Sequence, residues 1–584
     1  MPEELPEEGA KRNYFVAIPL IIVYVLAMVA YNTIVQPDAI GLYIMGIVIG
    51  FIFFFAFLML SYAGEGSKLY GLHAVASRLP SVKKPDEHVH FRTKMIWLIL
   101  ILILYFVLTN VMIYGLDQEE TVDLFAAYRA IMAGAQGSLM HLGIGPIVTG
   151  SIIMQLFVGA KIIKLDLKKD EDKAVYQSVQ KLLVIIMIVV EAVPQVYGYL
   201  QPSSTFVANL NAASPGHGDI LAKFFIVLQL CFGSYLVFLM DEVVSKWGIG
   251  SGISLFIAAG VAEAIFTGTL NWMPVDAGPM TIDNPPSGTI PKTIYYYSEF
   301  SAQDLTGGGY ERILVYPPNP VIALVSTVII FIFVAYAESC RVELPLAHEG
   351  VRGARGRYPI RLIYASNIPV ILIAALLANV SMFAMLFWSN DFFMHLPILG
   401  KEGPYSIAPY FGYYLDDPSR PAGGLAWYLT SINGLGDWLL PFFSSAYIPE
   451  GKTLLQVTIR IFAYLGVMII GSVFFAKFWI ETTGMGPESV AEQIQHSGMQ
   501  IPGFRRDPRV LKRVLERYIP AVTVLSGAIV GALAAFADLL GTVGNTSGTG
   551  VLLAVGIMIQ TYEAIGREQM MEMHPMLRGF FGGE

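Results

Sequence analysis

The densest chemistry in the chain is positive. In VRGARGRYPIRLIYASNIPVI, residues 351–371, Arg352, Arg355, Arg357 and Arg361 crowd together, and no further Lys or Arg follows until Lys401. A second stretch, GFRRDPRVLKRVLERYIP at 503–520, carries Arg505, Arg506, Arg509, Lys512, Arg513 and Arg517. Guanidinium forks present paired N–H donors that match phosphate oxygens, and each phosphate they neutralise releases counterions. Gly353 and Gly356 leave the first cluster flexible and thin enough to reach into something. A ribonucleoprotein and an anionic lipid surface both fit that chemistry, and both clusters also fix membrane orientation.

Catalytic chemistry finds little support. No HExxH occurs, and the nine histidines are scattered. PEGKT at 449–453 is not a phosphate loop, because Ala446 stands where the first glycine belongs. GIGSG at 248–252 follows no strand, so it is not a dinucleotide fingerprint. Cys231 and Cys340 fall within or at the end of different apolar runs, where small soft side chains are packed rather than paired. The residues point to no enzyme, metal or cofactor.

The elements that must position the arginines are membrane spans. The chain has 584 residues, 55% hydrophobic and 14% charged, with mean hydropathy +0.59; soluble proteins average about 25% charged. A bilayer core about 30 Å thick takes about 20 apolar residues per helix. Such runs occur near 14–35, 39–62, 95–115, 143–160, 180–200, 220–240, 250–270, 319–340, 366–388, 454–479, 518–537 and 549–567. The first lacks a small-residue cleavage site and the second follows at once, so 14–62 reads as a membrane hairpin, not a removable signal.

Charge sets the orientation. Of 37 Lys and Arg, 29 fall in the N-terminal segment and in 63–94, 161–181, 241–248, 339–361, 477–517 and 565–584, whereas five fall in the alternate loops, all in 270–318 and 389–453. Both termini and both arginine clusters are therefore expected on the cytoplasmic side.

Two local features refine the architecture. In HLGIGPIVTGSIIMQLF, 141–157, a helix is expected to start from irregular backbone at Gly143-Ile144-Gly145-Pro146, since proline suits a first turn and the glycines free the chain before it. Residues 116–142, with Arg129, are too short and polar to span; they form either a short re-entrant helix within a cavity or an interfacial loop. GISLFIAAG at 252–260 also matches GTGVLLAVG at 548–556 in its end glycines and one alanine, and Pro146 and Pro369 open equivalent spans. Together these suggest two five-span halves, 95–270 and 319–567, in opposite orientation.

The blocks LGIGPIVTGSIIMQLFVG (142–159), DEVVSKWGIGSGISLFIAAGV (241–261), the stretch 336–380 that contains the arginines, FWIETTGMGPESVAEQI (478–494) and SGTGVLLAVGIMIQTYE (547–563) resemble the SecY family of protein-conducting channels in its archaeal form. The resemblance covers about 78–575. It implies an all-α ten-helix channel of two inverted halves, here with an extra N-terminal two-helix hairpin in 1–65, a basic segment at 66–94, a plug within 116–142, external loops 271–318 and 389–453, cytoplasmic loops 341–365 and 480–517, and a tail at 568–584. It places a pore ring on Ile144, Val148, Ile253, Ile257, Ile371 and Leu553. All six are aliphatic, so the ring cannot hydrogen-bond a hydrated ion, yet can part around an extended peptide. It places a lateral-gate polar cluster on Thr149, Glu191 and Asn379, where an intramembrane carboxylate marks function. Its basic loops meet the ribosome, which implicates Arg352, Arg355, Arg357, Arg361, Arg505 and Arg506.

The function so implied is the pore-forming subunit of a Sec translocon in the plasma membrane. It passes unfolded chains outward, accepts signal sequences and releases apolar segments into lipid. Partners are SecE, Secβ, the ribosome, nascent polypeptide and membrane lipid, with no direct DNA binding. An inverted-repeat secondary transporter is the alternative, but it needs a polar midplane site, and this pore is aliphatic with essentially one central carboxylate. The 14–62 hairpin, the long external loops, Arg129 and Glu263 depart from the family pattern or have no assigned role.

Overall fold

The computed structural model describes residues 79–573 except 86, 88, 118–131, 160–162, 164, 166–169, 199, 276–277, 349–354, 362–367, 390–407, 416–420, 433, 484, 497–498, 501–507 and 545. The N-terminal hairpin, Arg129, Arg352, Arg505 and Arg506 lie outside the described residues. The described residues are mainly helical: α1 (Phe91–Thr109), α2 (Gly145–Gly159), α3 (Asp170–Gly198), α4 (Ser204–Ala213, a short helix between spans), α5 (Gly218–Trp247), α6 (Gly252–Leu270), α7 (Thr289–Glu299, also short), α8 (Val321–Ser339) and α9 (Ile368–Ser389). After the 389–453 loop come α10 (Leu454–Thr482), α11 (Pro487–His496), α12 (Pro508–Leu540) and α13 (Gly548–Met573). Nine of these, among the described residues, are long and apolar enough to cross a membrane; α2 is the shorter tenth, at 15 residues. Their outward faces are apolar, as in Ile96, Ile99, Ile103 and Val107 of α1. Such a face suits hydrocarbon and not water.

The chain forms two compact units. Among the described residues, the first comprises 79–82, 107–117 and Ala135–Leu239. Its helices α2 and α3 pack around Met154, Ile163, Val175, Val179 and Leu183, and a second core joins Ile113, Leu116 and Leu142 to Ala192, Val196, Leu200, Ile226 and Leu230. The span expected over 95–115 stops at Thr109. Beyond it Gly115 has φ 87° and the backbone turns to bond elsewhere, Ser203 N–H donating to the Gly115 carbonyl at 2.9 Å.

Among the described residues, the second unit comprises Lys83–Phe106, 132–134 and 240–573. Here α10 packs on α12 and α9, and α13 packs on α6, α8 and α12. Carboxylates near the end of α13 gather its neighbours: Glu568 takes the Lys94 ammonium at 2.8 Å and Glu563 takes Arg341 at 3.1 Å. The arginine cluster forms a hairpin. β1 (Arg341–His348) pairs antiparallel with β2 (Arg355–Arg361), and β3 (Met499–Gln500) adds to the other edge of β1 at Ala347 and His348. Gly356, expected to loosen this segment, pairs instead with Leu346. Pro359 is tolerated because β2 is an edge strand, and Pro345 because β1 has its second neighbour only at Ala347 and His348.

Specific contacts hold the described parts of the two long loops, 270–318 and 389–453. Trp427 lies between the Lys452 ammonium, 4.8 Å from its ring centre, and the Arg460 guanidinium, 4.9 Å away. In the 270–318 loop Lys292 is buried, its ammonium donating to the Tyr316 carbonyl at 2.7 Å and the Pro318 carbonyl at 2.8 Å. Loss of water around the charge pulls Lys292 down to about 8 from its ordinary 10.5. Between those values the opened loop holds a proton that the closed loop lacks, so closure becomes more favourable as pH rises through this window. Limited proteolysis of the loop at pH 7.5 and 9.5, compared at each pH with Lys292→Met, should show protection rising with pH in the natural chain only; parallel behaviour of both proteins would contradict it.

Candidate functional site: a helix-lined collar, a gate bond and a seated plug

Collar residues sit where apolar helices begin. Gly143, at φ 54°, turns the chain into Ile144, whose carbonyl accepts the first helical bonds of α2 from Ile147 and Val148 N–H at 3.0 Å each. The helix thus opens at Gly145-Pro146, where the sequence placed it. Val148 is the fourth residue of α2, Ile253 and Ile257 are the second and sixth of α6, Ile371 is the fourth of α9 and Leu553 the sixth of α13. Five of the six are buried and Ile253 is half-buried. Their side chains offer no hydrogen-bonding atom to water or to an ion.

In the first unit, two of the residues expected at a gate meet. The Thr149 hydroxyl, on α2, is 2.9 Å from a Glu191 carboxylate oxygen on α3, and also 2.9 Å from the Gly145 carbonyl one turn before it. Glu191 is 3% exposed and Thr149 8%, so this carboxyl draws its support from protein rather than water. One hydroxyl hydrogen shared between two acceptors makes a modest tie, and membrane-protein pairs of this kind average about 0.6 kcal/mol. A Cβ on Gly150 would stand 3.1 Å from Val184 backbone nitrogen, so a small residue lets α2 and α3 approach beside this bond. Asn379 lies in the second unit, half-buried midway along α9. Glu263 is half-buried on α6.

The plug region is described at its two flanks. Residues 132–142 form turns held to the chain after α1: Leu139 N–H donates to the Val111 carbonyl at 2.9 Å and Ile113 N–H to the Gly137 carbonyl at 2.8 Å. Buried His141 accepts from Gly137 N–H at 3.0 Å through Nδ1. Gly233 of α5 completes the seat, because a Cβ there would lie 1.8 Å from the Leu139 carbonyl oxygen. Sequence reasoning missed Gly233, since one glycine inside an apolar span carries no local signal of what it faces.

Of the basic candidates, Arg355, Arg357 and Arg361 stand at positions of one parity in β2, opposite Ala347, Pro345 and Arg341 of β1.

Comparison with known proteins identifies the family. The family model SecY matches residues 138–562, and the model described as the plug domain of Sec61p matches 103–137. The protein translocase subunit SecY of Archaeoglobus fulgidus is 45% identical over 525 residues, 89% of this chain and 99% of that one. Its counterpart in Methanocaldococcus jannaschii is 37% identical over 508 residues, 86% and 97% of the two chains. A solved protein-conducting channel superposes with TM-score 0.66 at 36% identity, over 86% of this chain and 98% of that one. Sec61 from a canine ribosome-channel complex of the endoplasmic reticulum superposes with TM-score 0.63 at 35% identity, with the same coverage. None of these supports the transporter alternative. The chain therefore belongs to the SecY family: it is a multi-pass membrane protein and the pore-forming subunit of a protein-conducting channel, not an enzyme.

Proposed function

We propose that Ile144, Val148, Ile253, Ile257, Ile371 and Leu553 form the constriction that seals this channel at rest and yields to an unfolded chain in transit. The observation that carries the reading is the common placement of all six at the opening turns of four apolar helices. Branched aliphatic side chains satisfy two requirements at once. They exclude hydrated ions, and they have no directional bond to release when a polypeptide passes. Thr149, Glu191 and Asn379 act as the lateral gate, a polar tie weak enough to break when an apolar signal segment competes for the helix surfaces. The channel consists of the halves 95–270 and 319–567 in inverted orientation, sits in the plasma membrane with both termini in the cytoplasm, and assembles with SecE and Secβ. The charge split of 29 to five supports that orientation.

Arg352, Arg355, Arg357 and Arg361, with Arg505 and Arg506, bind the ribosome. The paired backbone of β1 and β2 gives the first cluster a stiff stem, so fewer degrees of freedom are lost when its guanidinium groups meet phosphate.

Three outcomes test these assignments. In planar bilayers, Ile253→Asn and Ile371→Asn should each raise resting ion conductance, because an amide hydrates the collar; unchanged conductance in both would remove the ring assignment. Asn379→Leu should lower the hydrophobicity that a signal segment needs for insertion, by removing a polar tie of about 0.6 to 2 kcal/mol; a threshold that stays put refutes its gate role. Arg355→Glu combined with Arg357→Glu should weaken co-sedimentation with ribosomes strongly, and lysine at both sites should weaken it less, since lysine keeps charge but loses the bidentate fork. The natural affinity should fall steeply with salt. Equal, salt-insensitive co-sedimentation of all three versions would leave the cluster as an orientation signal, and binding that follows anionic vesicles instead would assign it to lipid.

A further inference from the structure

The faint match between 252–260 and 548–556 has a physical counterpart. At the start of α6 the Ile253 N–H donates to the Asp241 carboxylate on α5 at 2.9 Å, and the Gly252 N–H and Ser245 hydroxyl address the same group. At the start of α13 the Thr549 N–H donates to the Asp538 carboxylate on α12 at 3.0 Å, the Thr549 hydroxyl follows at 2.8 Å, and the Tyr464 hydroxyl donates to it from α10. Ile253 and Thr549 are equivalent positions of the matched segments. So are Ile257 and Leu553, the collar residues one turn further on.

The opening glycines repeat as well. A Cβ on Gly252 would stand 2.6 Å from the Asp241 Cα, and one on Gly548 would stand 2.0 Å from the Ala537 carbonyl carbon. Each helix therefore begins pressed against the backbone of the preceding span, beside its carboxylate. Ordinary capping would not need this arrangement. Ser251 occupies the usual cap position of α6 yet makes no side-chain cap bond, and the acceptor comes from another helix; at α13 Ser547 does accept the Gly550 N–H at 3.0 Å, and Asp538 takes the Thr549 N–H besides. A local serine satisfies N–H groups but leaves the helix free to turn as a unit. A carboxylate on a neighbouring helix fixes its rotation and height too. The two helices so held also pack on each other, and the loop that leads into α13 presses on α6, a Cβ on Gly268 falling 2.3 Å from the Gly544 Cα.

We propose that Asp241 and Asp538 are positioning residues of the pore collar, each locking the first turn of a helix that presents collar side chains. The inference rests on the collar assignment above, so its test carries Ile257→Asn as a reference. Full-length channel with Asp241→Ala or Asp538→Ala should leak roughly tenfold more at rest in planar bilayers, the change in a closed-to-open ratio when one charge-assisted hydrogen bond is lost. The isosteric Asp→Asn versions keep one acceptor oxygen and should leak less than alanine. They also remain informative if an alanine version fails to assemble. Amide exchange should speed up over 252–257 and 548–553 in step with the leak. Lower thermal stability with natural conductance, in alanine and asparagine versions alike while Ile257→Asn leaks, would make the two aspartates merely structural and overturn the proposal. No leak from Ile257→Asn would overturn the collar assignment and the proposal with it.

Discussion

A helix leaves its first N–H groups without intrahelical partners, and inside a membrane no water can take them. This constraint shapes the part of the molecule that matters most, because the collar residues sit on opening turns. Each such turn needs an acceptor, and the acceptor must not place a wettable group in the pore. Around α6 and α13 the answer is a carboxylate withdrawn onto the preceding helix, with Asp538 only 2% exposed. Around α2 it is the turn Gly143-Ile144, which starts the helical ladder from the backbone itself.

The same constraint separates residues that hold from residues that yield. Leu553 and Ile257 are fully buried and make no polar contact of their own, while the turns beneath them are hydrogen-bonded to other spans. Thr149 and Glu191 reverse the arrangement: their side chains bond to each other, but through one hydroxyl hydrogen that the Gly145 carbonyl also claims. A shared donor holds less firmly than one carboxylate receiving several. Where α2 meets α3, that tie stands beside a second one, Gln180 Nε2 donating to the Ser151 hydroxyl at 2.7 Å, and beside the close approach at Gly150.

Much of the fold was legible because span length and apolar content are dictated by the bilayer, and the ten spans expected within the described residues all appear as helices. What was not legible depended on contacts between elements. The hairpin of β1 and β2 contains Pro345, Pro359 and Gly356, residues that argue against a strand until the edge position and the partial third strand are known. Gly233 gave no sign of the Leu139 carbonyl it accommodates. The collar could be named only by resemblance, since six aliphatic residues in an apolar chain have no pattern of their own. Asp241 opened a quoted block and Asp538 stood one residue past the span expected at 518–537, yet their acceptor role spans 12 and 11 residues, across a loop that no helical periodicity crosses.

Inversion makes that last repeat informative. Between the two segments few side chains agree, and Ile253 and Thr549 share neither shape nor polarity. What agrees is a backbone N–H, a glycine beside a neighbouring main chain, and a carboxylate one helix back. Backbone donors survive any substitution except proline, so a duplicated fold can lose most sequence likeness and still retain the bond that sets a helix in place. In a channel that must stay shut to ions while its wall side chains vary, helix placement is the more demanding property. It is held here by carboxylates bonded to the backbone of the helix that follows them.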